Sequence, residues 1–355
     1  MSSYIISGIQ QIGIGVSDVH RAWKWYRQAF GMDVPIFEEK AEANLMLPYT
    51  GGKGWSRHAI LAVNLQGGGG FEIWQYTGRT PEAPRFDIAL GDYGIYAAKI
   101  KSRDVKKTYA SFKAKGYDVV SDVAEDPSGL IHFFVKDPFG NLFQVVPSDT
   151  WFAQTSSLTG GPYGCIIGVS DIDKSRKLYS DILGYDQVVY DQQGIFADLS
   201  NLPRGKQRFR RVLLTHSQAR KGGFSRLLGP SQIELVSLQD ISSAPHKIYE
   251  NRFWGDLGFI HLCFDIIGMK QMEEKCKANG FPFTIDSSKS FDMGEAAGHF
   301  SYIEDPDGTL IEFVETHKIP ILKKIGWYLD LRKRKPEKPL PNWMLKALAL
   351  NRVKD

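Results

Sequence analysis

The stretch QQIGIGVSDVHRAWKWYRQAFG, residues 10–31, joins a short apolar run to a polar turn and then to a helical pattern that ends at Gly31. Trp23, Tyr26 and Phe30 recur at the spacing of one helix face. The stretch YGCIIGVSDIDKSRKLYSDILG, residues 163–184, has the same layout. Repetition of this kind predicts a chain built from copies of one strand–turn–helix unit.

Residues 96–116 and 260–280 supply two more copies, so the chain contains four units. Several strand candidates follow each helix, and in the second and fourth units the last pair is joined by DPFGN (137–141) and DPDGT (305–309). Asp-Pro-x-Gly is strong turn chemistry, so both segments are predicted to be hairpin tips. We therefore predict an α+β fold of four βαβββ units, in preference to a doubly wound parallel sheet.

The helices are expected to start at polar N-cap residues that follow each first strand. The candidates are Ser17, Ser102 and Ser170.

The length of 355 residues favours two domains. We predict a first module at 1–150, a second at 151–318 and a basic C-terminal extension at 319–355. From Lys318 onwards there are 11 Lys or Arg and 3 Asp or Glu, so the rest of the chain is slightly acidic. The extension is expected to pack on the body or to form a homo-oligomer contact.

Composition excludes several classes of protein. No basic leader precedes an apolar run at the N-terminus and no run of 18 apolar residues occurs, so neither a signal peptide nor a transmembrane segment is expected. The three cysteines have no CxxC spacing, which fits a reducing, cytoplasmic compartment. No motif resembles a nucleic-acid-binding element.

The unit pattern resembles the vicinal oxygen chelate superfamily of glyoxalase I, methylmalonyl-CoA epimerase, extradiol dioxygenases and bleomycin-resistance proteins. The matching motifs are VSDV and VSDI, each followed by a helix with WYRQAFG or LYSDILG, together with the two DPxG turns. The resemblance covers about residues 7–317. It implies that units pair into two half-open mixed-sheet barrels, and that a divalent metal sits inside such a barrel.

In this family the first and last strands of each unit supply the ligands. The corresponding residues are, in the first module, Gln11, Glu72, Ala97 and Gln144, and, in the second, Gly164, Glu234, His261 and Glu312. The resemblance therefore implies a metal site in the second module, made by Glu234, His261 and Glu312. The first module is predicted to be metal-free, because Ala97 cannot bind a metal and the two glutamines are neutral.

Strand alternation supports these three residues independently. Ile311 and Phe313 point to one face of their strand, so Glu312 points to the other. Glu234 and His261 are flanked by apolar residues in the same way. Buried carboxylates repel one another unless a cation is present. One imidazole and two carboxylates suit Mn, Fe, Co, Ni or Zn.

The resemblance implies a metal-dependent lyase or isomerase that stabilises an enolate or oxyanion of a small oxygenated substrate. Glu234 or Glu312 would move the proton, and Tyr302, on the strand before DPDG, is a secondary catalytic candidate. One alternative is an extradiol ring-cleaving dioxygenase, which the position of Tyr302 favours and the missing second His disfavours. Another is a non-enzymatic binding or resistance protein.

Two sets of polar residues remain open to simpler interpretations. The segment 201–230 contains eight Lys or Arg, which are either a solvated loop or a rim that attracts an anionic substrate. His20 and His58 are predicted to be surface residues.

Overall fold

The computed structural model of the chain describes residues 4–240, 244–287, 291–292, 297–322 and 327–353. The described residues form two curled mixed sheets. The main core cluster contains side chains from both sheets and from four helices, so the two sheets share one hydrophobic core. The predicted α+β fold of four units in two half-open barrels is confirmed.

The first half of the chain contains two units. The elements of the first unit are β1 (Ile5–Gly15), α1 (Val19–Phe30), β2 (Val34–Glu42), β3 (Ser56–Val63) and β4 (Gly70–Tyr76). The elements of the second unit are β5 (Gly94–Ser102), α2 (Val105–Ala114), β6 (Asp118–Val119), β7 (Ala124–Glu125), β8 (Ile131–Lys136) and β9 (Leu142–Pro147).

The second half repeats the plan and adds the C-terminal extension. The elements of the third unit are β10 (Thr159–Gly168), α3 (Ile172–Tyr179), β11 (Gln187–Gly194), β12 (Phe209–Thr215), α4 (Ser225–Leu228) and β13 (Gln232–Leu238). The elements of the fourth unit are β14 (Gly258–Ile267), α5 (Met269–Ala278), β15 (Ile285–Asp286), β16 (Phe291–Asp292), β17 (Ala297–Glu304) and β18 (Leu310–Leu322). The extension contains β19 (Trp327–Asp330) and α6 (Asn342–Ala347).

The units do not pair within each half of the chain. The first sheet has the order β15-β17-β18-β14-β1-β4-β3-β2, so it joins the fourth unit to the first. The second sheet has the order β11-β12-β13-β10-β5-β9-β8-β6, so it joins the third unit to the second. The predicted modules at 1–150 and 151–318 require that units next to each other in sequence share a sheet. In the structure, each sheet instead joins one unit from the first half of the chain to one from the second. A unit's first strand can pair with the first strand of any other unit, and the unit's own sequence does not name the partner.

The two DPxG segments form the predicted hairpins. The Asp137 amide donates to the Asn141 carbonyl at 3.0 Å between β8 and β9, and the Asp305 amide donates to the Thr309 carbonyl at 2.9 Å between β17 and β18. Each turn aspartate is buried and accepts a hydrogen bond from a helix tyrosine, Asp137 from Tyr26 in α1. The turns therefore also fasten helices of one sheet to strands of the other.

The serines predicted as N-caps are not the capping residues. The side chains of Asp18, Asp104 and Asp171, which lie one or two residues further on, accept the amide hydrogen bonds at the starts of α1, α2 and α3. The carboxylate accepts a stronger hydrogen bond than a hydroxyl and also interacts favourably with the positive end of the helix dipole.

The C-terminal extension packs on the body, as one of the two predictions had it. Leu340 and Leu345 are buried with Val34 and Val63 of the first unit. Strand β19 extends the first sheet by pairing with β18. No helix in the described part of the chain is long and apolar enough to cross a membrane.

The sheet order predicts that residues 1–150 and 151–355 do not fold as separate domains. The first half alone would leave β1 and β5 without their antiparallel partners, and the second half alone would leave β14 and β10 without theirs. We expect each half expressed alone to lack a cooperative urea transition, and the co-expressed halves to copurify and regain it. A cooperative, monomeric 1–150 fragment would contradict this expectation.

Candidate metal centre

Four adjacent strands of the first sheet bring polar side chains together in one cluster. The strands are β18, β14, β1 and β4, which lie side by side in that order. The cluster consists of Gln11 on β1, Glu72 on β4, His261 on β14 and Glu312 on β18. Two of these residues come from the first unit and two from the fourth, so the cluster is complete within one chain.

The strand registers bring these residues level with one another. Strand β1 runs parallel to β4 with Gly13 opposite Glu72, and antiparallel to β14 with Gly13 opposite His261. Strand β14 runs parallel to β18 with Cys263 opposite Glu312. Gly13 is required at the centre of this arrangement, because a Cβ there would overlap the His261 ring.

The ligand atoms of the cluster are close enough to surround one ion. Glu72, His261 and Glu312 each offer an atom within 4.8 Å of the other two. The Nε2 atom of His261 lies 3.1 Å from Glu312 Oε2 and 3.4 Å from Glu72 Oε2. The Nε2 atom of Gln11 lies 3.2 Å from Glu72 Oε2 and 3.3 Å from Glu312 Oε2.

Burial makes the charges of this cluster strongly interdependent. His261 is fully buried, which by itself lowers its pKa, but the carboxylates of Glu312 and Glu72 outweigh burial and raise that pKa to about 9. Burial, with the charges of Glu312 and Glu72 added to it, also raises the pKa of Tyr302 well above its usual value. The Tyr302 hydroxyl lies 3.4 Å from Nδ1 of His261.

Two buried atoms of the cluster have no hydrogen-bond partner among the residues that the structure describes. They are Oε1 of Gln11 and Nε2 of His261. The His261 nitrogen is close to both carboxylates yet is not aligned for a hydrogen bond with either. Because the two ends of a glutamine amide are assigned from their hydrogen bonds, Oε1 of Gln11 can equally face the carboxylates. A cation among these donors would satisfy both atoms, and the N,O set suits Mn, Fe, Co, Ni or Zn.

The structure places His261 and Glu312 side by side, but it does not bring Glu234 to them. Glu234 lies on β13 in the second sheet, where it is fully buried. Lys99 Nζ is 2.6 Å from one of its oxygens, and Arg211 Nη2 and the Tyr190 hydroxyl are both 2.8 Å from the other. Glu234 is therefore a member of an internal ion-pair network. Glu72, and not Glu234, is the carboxylate that lies beside His261 together with Glu312.

Gln11 and Glu72 correspond to family ligand positions, but the sequence alone places them in a first module predicted to be metal-free. The sequence nevertheless contains a pattern that groups them with His261 and Glu312. When the first unit is grouped with the fourth, the four family positions are occupied by Gln, Glu, His and Glu. When the third unit is grouped with the second, the same positions are occupied by Gly, Glu, Ala and Gln. Only the first combination has four side chains that can bind a metal.

In the second sheet, side-chain cations of the protein balance the charge of the buried Glu234 carboxylate. Burial raises the pKa of Glu234, but Lys99 and Arg211 outweigh burial and hold that pKa below its usual value. Arg211 also donates to Asp198 at 2.9 Å, and His132 Nε2 lies 3.1 Å from the same carboxylate. The network is almost fully buried, so two fixed side-chain cations stand where a metal would otherwise balance Glu234.

The basic segment 201–230 is mostly engaged elsewhere in the molecule. Arg210 pairs with Asp173 at 2.7 Å and with Asp191 at 2.8 Å, and Arg204 pairs with Asp92 at 2.8 Å. A cavity of about 160 Å³ opens beside the cluster of Gln11, Glu72, His261 and Glu312, and none of the basic residues of 201–230 lines it. The structure thus gives no support to a basic rim over this site.

A second group of potential ligands lies outside the cavity. His20, Glu38 and His58 offer atoms within 4.8 Å of one another. His20 is exposed as predicted, but the prediction that His58 is a surface residue is wrong, because His58 is buried beside the exposed Glu38. The 2.9 Å contact between His58 Nε2 and Glu38 Oε1 accounts for this group as an ordinary surface pair.

The family of the chain follows from its sequence and fold together. Residues 8–145 and 163–313 match the model of the Glyoxalase/Bleomycin resistance protein/Dioxygenase superfamily. The chain therefore belongs to this superfamily, and it carries two tandem matches to it. A comparison with curated proteins found no match.

Solved structures support the fold. Glyoxalase I from Zea mays superposes with a TM-score of 0.53 at 15% identity, covering 88% of this chain and 92% of that one. A protein described as a putative dioxygenase from Bacillus subtilis subsp. subtilis str. 168 superposes with a TM-score of 0.55 at 12% identity, covering 88% and 86%. At these identities the similarity speaks for the fold alone.

We predict that His261→Ala abolishes binding of a divalent metal, because it removes the only imidazole of the cluster. The matched control is His132→Ala, which removes a buried histidine from the second sheet and should leave metal binding intact. The measurement is metal content per chain after loading and gel filtration, with circular dichroism to verify folding. Stoichiometric metal in a folded His261→Ala protein would refute the assignment.

We predict that Glu234→Gln destabilises the fold but leaves metal binding unchanged. Breaking one member of a buried ion-pair network costs about 3 kcal/mol or more. The folded-state pKa of Glu234 is depressed, so its contribution is present above the unfolded-state pKa and is lost as pH falls below about 4.

Urea unfolding at pH 7 and at lower pH measures this effect. The difference between wild type and Glu234→Gln should shrink on acidification, whereas Glu125→Gln, an exposed control on β7, should match wild type at both pH values. Equal stability of Glu234→Gln and wild type at pH 7 would contradict the structural role of the network.

Proposed function

We propose that the chain is a metal-dependent enzyme of the lyase or isomerase type that moves a proton between adjacent carbons of a small oxygenated substrate. The observation that supports this most is the cluster of Gln11, Glu72, His261 and Glu312, with two unpartnered buried atoms that a divalent cation would satisfy. When bound, such a cation acts as a Lewis acid on two neighbouring substrate oxygens and stabilises an enolate.

The protein's own residues have distinct parts in this proposal. Glu72 and Glu312 both line the cavity, so either carboxylate can take a proton from the carbon next to a carbonyl and return it to the neighbouring carbon. This transfer is internal to the substrate and needs no oxidant. His261 is fully buried behind the carboxylates and serves as a ligand only.

Tyr302 is a positioning residue in this scheme. Its hydroxyl lies beside Nδ1 of His261, where a hydrogen bond would fix the orientation of the ring and leave Nε2 free for the metal. Its raised pKa keeps it neutral, so it is suited to hold the imidazole and not to exchange the substrate proton.

A ring-cleaving dioxygenase is the alternative that the cluster favours less. The non-haem iron enzymes that activate oxygen use two histidines and one carboxylate. The cluster here has one histidine, two glutamates and a glutamine. A binding protein without catalysis remains the third hypothesis, and metal-dependent turnover distinguishes it.

The test is proton transfer by metal-loaded protein. The protein is loaded separately with Mn²⁺, Co²⁺, Ni²⁺ and Zn²⁺ and offered the hemithioacetal of a 2-oxoaldehyde and a simple thiol in deuterated water. We expect metal-dependent formation of the 2-hydroxy thioester, with a loss of at least about 100-fold in kcat for Glu312→Gln. Glu125→Gln serves as the control.

Two results would overturn the proposal. Oxygen consumption with catechols, without any thioester, would assign the chain to the dioxygenases. Stoichiometric metal with neither activity, across a set of 2-oxoaldehydes and 2-hydroxyketones, would favour a binding protein.

A further inference from the structure

Five aromatic side chains line the cavity beside the cluster, together with aliphatic and polar residues. Phe37, Trp74, Trp254, Phe300 and Tyr302 line it, and Gln11, Glu72 and Glu312 lie at its polar end. The aromatic rings meet edge to face: Tyr302 lies 6.1 Å from Phe300 and 6.3 Å from Trp254, with interplanar angles of 86° and 89°. This arrangement surrounds the space with ring edges and faces, which favours a further aromatic ring over a flexible polar chain.

The size of the cavity fits one ring. Its volume is about 160 Å³. An engineered protein cavity of about 150 Å³ with apolar walls binds benzene, so a space of this size accepts a phenyl group. Aliphatic side chains, among them Leu61 and Met46, form the rest of the apolar lining. The remaining ligand atoms would then reach the polar end at Glu72 and Glu312.

Among the described residues that line the cavity, no cation is free to meet an anionic substrate. Arg57 is the one basic residue of this described lining, and its Nη2 already donates to Glu39 at 2.6 Å while its guanidinium lies 4.8 Å above the Trp74 ring. Glu42, which is exposed at the same cavity, adds a negative charge. Once a divalent cation balances Glu72 and Glu312, the described lining leaves a further substrate carboxylate without a free cationic partner.

We propose that the substrate of this site is an aryl-substituted compound with two adjacent oxygens and at most one negative charge, and that it is not a polyanionic thiol adduct. The inference rests on the proposed function only in requiring a metal at the cluster. The aryl group would lie between Phe300 and Trp254, and the two oxygens would face Glu72 and Glu312.

The experiment measures binding, so that it does not depend on turnover. Three hydroxamates present the same pair of chelating oxygens: benzohydroxamate carries a phenyl ring, acetohydroxamate a methyl group and succinomonohydroxamate a carboxylate. Isothermal titration of cobalt-loaded protein should give benzohydroxamate an affinity at least about tenfold above that of acetohydroxamate, because the ring buries additional apolar surface. Succinomonohydroxamate should bind more weakly than acetohydroxamate.

Variants of Phe300 locate the ring. Phe300→Ala should lower the preference for benzohydroxamate over acetohydroxamate severalfold without changing acetohydroxamate binding, and Phe300→Leu should lower it less. Phe134→Leu changes a buried aromatic residue at the corresponding strand of the second sheet and should leave the preference unchanged. If Phe300→Ala does not fold, Phe300→Leu still carries the test.

The outcomes separate this inference from the proposed function. Equal affinities for the phenyl and methyl ligands, or the tightest binding for the carboxylate ligand, would overturn the substrate class while leaving the metal site in place. Failure of the protein to hold cobalt would overturn the metal site itself. A phenyl preference that survives in both Phe300 variants would overturn the assigned position of the ring.

Discussion

The antiparallel pairing of β1 with β14 is the contact on which the candidate site depends. It joins residues 243 to 262 positions apart in the chain and sets Gly13 opposite His261. Because side chains alternate along a strand, a slip of one residue in this register would turn His261 towards the core and away from Glu72 and Glu312. Gly13 leaves the space that the imidazole fills, so register and composition at this one point act together.

The two sheets differ in how the negative charge of a corresponding glutamate is balanced. Each has a carboxylate at the same place, the half-buried Glu72 beside β1 and the fully buried Glu234 beside β10. In the second sheet Lys99 and Arg211 lie within hydrogen-bond distance of Glu234 and neutralise it permanently. In the first sheet a second carboxylate, Glu312, adds to the charge, and the described residues around the cluster place no lysine or arginine within ion-pair distance of Glu312. A site whose carboxylates have a titratable imidazole beside them, and no lysine or arginine among the described residues, is suited to bind a mobile cation once the imidazole is neutral.

Much of the fold could be predicted from the sequence because its determinants are local. The DPxG turns, the helical spacing of Trp23, Tyr26 and Phe30, and the alternation around Glu312 all act within a few residues. The partner of each unit is not a local property. Four similar units can pair in several ways that bury similar apolar surface, and the choice lies in tertiary contacts between β1 and β14 and between β5 and β10.

The candidate site was predictable to the extent that it follows from single strands. Alternation gives the correct inward direction for His261 and Glu312, but grouping them with Glu234 requires knowledge of the pairing, which alternation does not contain. The N-caps illustrate the same limit at shorter range. Ser17 and Asp18 are adjacent and both are good capping residues, so only the strength of the carboxylate as an acceptor separates them.

One further position distinguishes the cluster of the first sheet from the ion-pair network of the second. Lys99 pairs with Gln144 in the second sheet as Cys263 pairs with Glu312 in the first, so Lys99 and Cys263 are structural counterparts. Burial raises the pKa of the Cys263 thiol well above its usual value, and Glu312 raises it further. The thiol therefore stays neutral and adds no charge to the cluster. A lysine at this place would extend towards the carboxylates and compete with any metal, whereas the short, neutral cysteine leaves that space open.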